Sequence, residues 1–194
     1  MSVHSEQATL TGSQRVIVDK TCSFTRYWPP FDCLRMDKRL EVRPMICADA
    51  RFLPFADGCV DDFYCDPPHF IGEEVREIEI ERFERGGLND TERLRPYTLR
   101  YGVWPSKSHW LKFLVLVNGE FARCLKPEGR LHWKIACSDR GDKMIQRRHM
   151  SLLTNFEVER EDVRASGRAT SSSLTYFITM RKRELLGCQS RGVP

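Results

Sequence analysis

Four short apolar runs, each closed by an aspartate, constrain this chain more than any other feature. They are Val16-Ile17-Val18-Asp19, Cys33-Leu34-Arg35-Met36-Asp37, Pro44-Met45-Ile46-Cys47-Ala48-Asp49 and Val60-Asp61-Asp62-Phe63-Tyr64-Cys65-Asp66. Near-continuous apolar runs of this length are how the strands of a parallel sheet read, because both of their faces are covered. Trp110, Phe113, Leu114, Val117, Phe121 and Leu125 then recur three and four apart. That spacing predicts a helix with one apolar stripe, capped by Ser106 or Ser108 and stopped by Lys126-Pro127-Glu128-Gly129. Arg130 to Ala136 reads as a fifth strand and Met144 to Leu153 as another helix. Phe156 to Val163 and Leu174 to Met180 close the chain as strands, and the short Ala165 to Ser173 loop between them predicts an antiparallel hairpin. The fold class is therefore α/β: a single doubly wound, mostly parallel sheet of about seven strands with a C-terminal antiparallel hairpin.

At 194 residues the chain has room for one domain with a sizeable core. Residues 15–183 are expected to form it, with loose tails at 1–14 and 184–194. No apolar run approaches the roughly 20 residues needed to cross a bilayer, and residues 1–14 lack the apolar core of a signal peptide, so no membrane partner and a cytoplasmic location are expected. The eight cysteines are scattered without a CxxC pair. They read as reduced, mostly buried thiols, and no metal site is expected. The net charge of +4 is a mild bias toward anionic partners. Its distribution says more: residues 73–85 carry six Glu against three Arg, whereas Arg140, Lys143, Arg147, Arg148, Arg181, Lys182 and Arg183 make the last third basic.

The fourth apolar run leads into Asp66-Pro67-Pro68-His69, seventeen residues after Asp49. A carboxylate accepts hydrogen bonds from an amino group, and each proline fixes φ while its carbonyl remains an acceptor. Such a tetrapeptide at a strand's end is a rigid acceptor site for an amine. In doubly wound sheets ligands bind beyond the carboxyl ends of the strands, where the four aspartates lie.

In this order the landmarks resemble the class I S-adenosylmethionine-dependent methyltransferases, which are Rossmann-like, and among them the DNA amino-methyltransferases with an Asp-Pro-Pro-aromatic motif. The resemblance rests on Asp19, Asp37, Asp49 with Leu53-Pro54-Phe55-Ala56-Asp57-Gly58, Asp66-Pro67-Pro68-His69 and Leu125-Lys126-Pro127-Glu128-Gly129, and it covers residues 16–136. With Tyr101-Gly102 and Trp133-Lys134, the Asp-Pro-Pro-His variant looks most like small methyltransferases of phages and bacteria. The resemblance implies S-adenosyl-L-methionine as cofactor and nucleic acid as partner, with DNA favoured over RNA. It implies that Asp19, Thr21 and Cys22 line the cofactor pocket, that Asp37 holds the ribose hydroxyls, and that Asp49 and the Ala50 backbone serve the adenine, with Arg51 and Phe52 covering that pocket or simply packing. Asp66 and the Pro67 carbonyl, with Pro68 completing the motif, would accept from the amine of an everted adenine that stacks on His69, where the family more often has tyrosine or phenylalanine. Cytosine N4 and RNA bases use similar motifs.

Two features complicate the resemblance. The family has glycines in its first loop, and this chain has Ser23 and Thr25 there, with no glycine between Gly12 and Gly58. This favours, as an alternative, a cofactor-binding or nucleic-acid-binding protein that has lost catalysis. The stretch from Phe70 to Lys107, about 38 residues, exceeds what a connection needs and predicts a lid or substrate-binding insert. There Arg93, Arg95, Arg100 and Lys107 interleave with Tyr97, Tyr101, Trp104 and Trp110, a composition suited to gripping phosphate while stacking bases. Tyr101, Trp104, Lys107 and Lys134 are the candidate substrate contacts. A nicotinamide oxidoreductase is disfavoured because GxGxxG is missing.

Overall fold

Each of the four aspartate-closed runs contains a strand, and so does each of the three later strand segments. A computed structural model describes residues 15–19, 33–38, 43–72, 102–137, 144–165 and 174–183, with Asp19 and Cys137 described by their backbone only. Among these, the strands are β1 (Ile17–Asp19), β2 (Leu34–Asp37), β3 (Ile46–Cys47), β4 (Val60–Cys65), β5 (Leu125–Cys137), β6 (Phe156–Ala165) and β7 (Leu174–Lys182). They form one seven-stranded sheet in the order β3-β2-β1-β4-β5-β7-β6. All pairings from β3 to β5 are parallel, and β7 runs antiparallel to both β5 and β6. Strand β1 pairs with both β2 and β4, so the chain steps outward on one side and returns on the other. The order of connection reverses between β1 and β4, where such sheets open a crevice.

The helix α1 (Lys107–Cys124) covers the centre of the sheet, and Ser106 caps it by accepting from the His109 amide. Its stripe of Trp110, Phe113, Leu114, Val117 and Phe121 is buried as the spacing requires. Phe121 meets Phe63 of β4 at 4.8 Å between ring centroids and Trp133 of β5 at 6.1 Å. A polar clamp ties this helix to the loop after β3: Glu120 accepts from the Leu53 amide, and Arg123 donates to the carbonyls of Leu53 and Phe55 and to Asp57.

Several expectations are corrected. Leu125 is not the last residue of the helical stripe. It takes extended φ/ψ and begins β5, five residues before the expected start at Arg130; the following Lys126 precedes Pro127, which disfavours helical geometry there. The expected helix from Met144 to Leu153 is a 3₁₀ turn, Arg147–Leu152, docked on α1 by a hydrogen bond from Trp110 Nε1 to His149 Nδ1. The hairpin is as expected but two residues longer on each C-terminal side. Of the five cysteines whose side chains are described, Cys65 and Cys124 are buried, Cys33 and Cys59 are half-buried and Cys47 is exposed. Both tails and most of the expected insert fall outside the described residues.

Gly129 shows how tightly β5 is threaded. A Cβ there would come within 2.9 Å of the Asp61 carbonyl oxygen and of Leu125 Cδ2. Gly129→Ala is expected to destabilise by about 1–3 kcal/mol through overpacking. Gly119→Ala, inside α1 with nothing within 4 Å of the added carbon, is expected to stabilise by roughly 1 kcal/mol. Thermal unfolding of the two variants checks these opposite signs.

Candidate functional site

The carboxyl ends of β2, β3 and β4 open onto one cavity of about 430 Å³. Its wall includes Asp37 from the end of β2, Asp49, Ala50 and Arg51 following β3, Asp66-Pro67-Pro68 following β4, and Trp104. Eight of the residues singled out from the sequence thus line one space. Parallel pairing produces this, because it brings the C-terminal ends of neighbouring strands to the same edge.

Asp66 is buried, with 7% of its surface exposed. The register sets Cys65 beside Trp133, which brings the next residues, Asp66 and Lys134, side by side. Lys134 Nζ donates to Asp66 Oδ2 at 2.6 Å, and His69 Nε2 lies 3.2 Å from Oδ1. Burial on its own would raise the Asp66 carboxyl; His69 and the Lys134 ammonium outweigh it and hold the group below the ordinary carboxylate range. His69 is only 2% exposed and belongs to the layer behind the cavity wall. The expectation of a stacking surface at His69 is therefore corrected: the ring faces Asp66, and its carbonyl accepts from the Ile145 amide.

The Trp104 indole Nε1 donates to the Pro68 carbonyl at 2.8 Å, and its ring packs on Trp110 and Phe113. It buttresses the proline pair while lining the cavity. Trp110 is fully buried and serves the core alone. Gly102 lies across from the motif at φ 81°, where a Cβ would touch Pro68 Cγ at 3.6 Å. The positive φ, more than the space, is what favours glycine there.

Asp49 is held by its own neighbour. Arg51 donates to it through Nε at 3.0 Å and Nη2 at 2.7 Å, and through its backbone amide. The Arg51 side chain lowers the Asp49 carboxyl to about 2, against a smaller opposing effect of burial. Arg51 also reaches over the Phe52 ring at 5.9 Å, and Phe52 is 72% exposed. Asp37 is buried at the end of its strand, and its carbonyl accepts from the Ala48 amide.

Lys134 stands behind Asp66, and Lys107 begins α1 outside the cavity wall. Thr21, Cys22, Tyr101, Ser23, Thr25 and the side chain of Asp19 lie outside the described residues. Sequence reasoning missed Lys38, His109, Lys112 and Leu116, which also line the cavity. With Phe113, the three helical positions follow i, i+3, i+4, i+7 spacing, so helical periodicity groups them; that this face meets a cavity is a tertiary matter. Two residues of the expected basic C-terminal third are paired with acids, and two others are held by backbone carbonyls. Arg147 pairs with Glu161 and Arg181 with Glu157, while Lys182 and Arg183 donate to backbone carbonyls.

No protein-family model matches this chain, and no curated protein matches its sequence. Solved structures do match. The [4+2]-cyclase SpnF is similar at a TM-score of 0.53 and 11% identity, covering 90% of this chain and 77% of that one. A protein from Sulfolobus solfataricus assigned to the type 11 methyltransferases is similar at a TM-score of 0.50 and 14% identity, covering 89% and 86%. The chain has the class I methyltransferase fold. That SpnF carries a cyclase activity on this fold separates architecture from chemistry, so the chemistry rests on the side chains of the cavity.

In Arg51→Ala, Asp49 is expected to titrate back up toward the ordinary value of about 3.9, as read by carboxyl carbon NMR shifts. A depressed carboxyl contributes stability above the unfolded value that is lost as pH falls toward about 2. The variant should therefore lose less stability than the parent between about pH 4 and pH 2.

Proposed function

We propose that this chain is an S-adenosylmethionine-dependent methyltransferase acting on an exocyclic amino nitrogen of a nucleic-acid base, adenine N6 in DNA first. One observation carries the reading: Asp66-Pro67-Pro68 lines the same cavity as the strand-end acids Asp37 and Asp49. An amine acceptor and a set of nucleoside-binding acceptors thus share one space. Its volume of about 430 Å³ falls in the ordinary range for small-ligand sites.

The acceptor set fits the cofactor. Asp37 would accept from two ribose hydroxyls, and Asp49 with the Ala50 backbone would serve an adenine once Arg51 yields or shares the Asp49 carboxylate. The cofactor supplies an electrophilic methyl group. At the other end Asp66 and the Pro67 carbonyl would accept from the two N–H groups of the base and turn the nitrogen lone pair out of conjugation. Trp104, bonded to Pro68, holds that edge rigid. The Lys134 ammonium on Asp66 favours an uncharged nucleobase amine over an alkylammonium, which would add a like charge.

A second reading, a binding protein without catalysis, is favoured by the Arg51–Asp49 and Lys134–Asp66 pairs, which already occupy both acids. Calorimetric titration with S-adenosylmethionine, combined with labelled-methyl transfer to duplex DNA, single strands and transfer RNA, decides between them. Cofactor binding with transfer to DNA is expected, and Asp66→Asn should slow transfer by about 10²-fold or more while cofactor affinity holds. Binding without transfer supports the second reading. Transfer at an undiminished rate in Asp66→Asn overturns the mechanism.

A further inference from the structure

Lys134 reaches the site only through Asp66. It projects from β5 onto the carboxylate from behind the cavity wall, at 2.6 Å, and its side chain is 19% exposed against 4% for Asp66. The groups facing Asp66 among the described residues are two: Lys134 from β5 and His69 from the loop after β4. The next ionic group on β4, Asp62 with Arg15 and His132, lies four residues back along the strand. A carboxylate offers about four lone-pair sites, so one bond from Lys134 leaves acceptor capacity for a substrate.

We propose that Lys134 is the positioning residue of the amine-acceptor site: its ammonium keeps the buried Asp66 carboxylate ionised and fixed, without itself touching substrate. This rests on the methyltransferase reading for its catalytic half only. Without the cation, His69 alone opposes burial and the carboxyl's hold on a proton strengthens, toward a group that donates where the mechanism needs an acceptor. The lowered Asp66 carboxyl agrees with this geometry.

The sign in stability is distinctive. In the wild type the unfolded state holds the Asp66 proton more tightly than the folded state, so this group contributes stability that is lost only as pH falls through the folded value. In Lys134→Met the folded-state carboxyl moves up, so the folded variant holds the proton more tightly than folded wild type does, and the variant loses stability relative to wild type as pH rises.

The test measures thermal midpoints from pH 4 to pH 9 for the full chain, Lys134→Met, Lys134→Gln, Lys134→Arg and the double variant Lys134→Met/Asp66→Asn, together with methyl transfer over the same range. The midpoint difference between Lys134→Met and wild type should widen with pH, and it should be flat in the double variant. Transfer by Lys134→Met should be roughly tenfold or more below wild type at pH 6, the deficit closing as pH rises, with Lys134→Arg restored. Lys134→Gln, which keeps a donor without the charge, should behave as Lys134→Met and provides the same reading where the methionine variant fails to fold. A flat midpoint difference, or a transfer deficit uniform in pH, overturns the proposal. The midpoints need no activity, so an absence of transfer in all proteins refutes the methyltransferase reading while leaving the Lys134–Asp66 coupling decided.

Discussion

Everything at the site depends on β4 lying parallel between β1 and β5. Its central position buries Val60, Phe63 and Cys65 completely, which locks the register of both pairings, since a slip of one residue would exchange its two faces. The register in turn sets Cys65 beside Trp133 and delivers Asp66 to Lys134. Because the order of connection reverses between β1 and β4, the ends of β2 and β4 face a common crevice although 29 residues separate Asp37 from Asp66. Hydrophobic burial on both faces of the strand thus fixes an electrostatic arrangement at its end.

That arrangement is a set of acids with resident cations. Asp66 has Lys134, Asp49 has Arg51, and Asp62 has Arg15. Pairing prevents a buried carboxylate from protonating, which desolvation otherwise favours. It also keeps Asp49 and Asp66 ionised as acceptors. Under the proposed function the cost falls on ligand binding, because Arg51 would have to yield or share Asp49 before an adenine could use it. The buttress of Trp104 on Pro68, backed by Trp110 and Phe113, and the Glu120–Arg123 clamp on the loop after β3 restrict both walls of the cavity. The described part of the site is built rigid.

Periodicity, proline chemistry and strand-end acids exposed much of this to a reader of the sequence. The apolar runs marked the strands, the three-four spacing marked α1, and the short loop marked the hairpin, because burial imposes those patterns locally. The errors share a cause. Trp110 and His69 looked like surfaces for bases, and an aromatic residue carries no sign of whether it faces a ligand or a core. The basic C-terminal third looked open, and the partners that neutralise Arg147 and Arg181 come from β6, next to β7 across the hairpin.

The sequence by itself determined the strand and helix pattern, the acids at strand ends and the Asp66-Pro67-Pro68 acceptor, since these depend on backbone constraints and on spacing along the chain. Tertiary structure alone decided which charges meet and which aromatic rings are sealed away. The partners of Asp66 show the division: His69 is three residues away and Lys134 sixty-eight. Only parallel pairing of two distant strands, driven by apolar burial that does not involve either charge, could bring the second to the first.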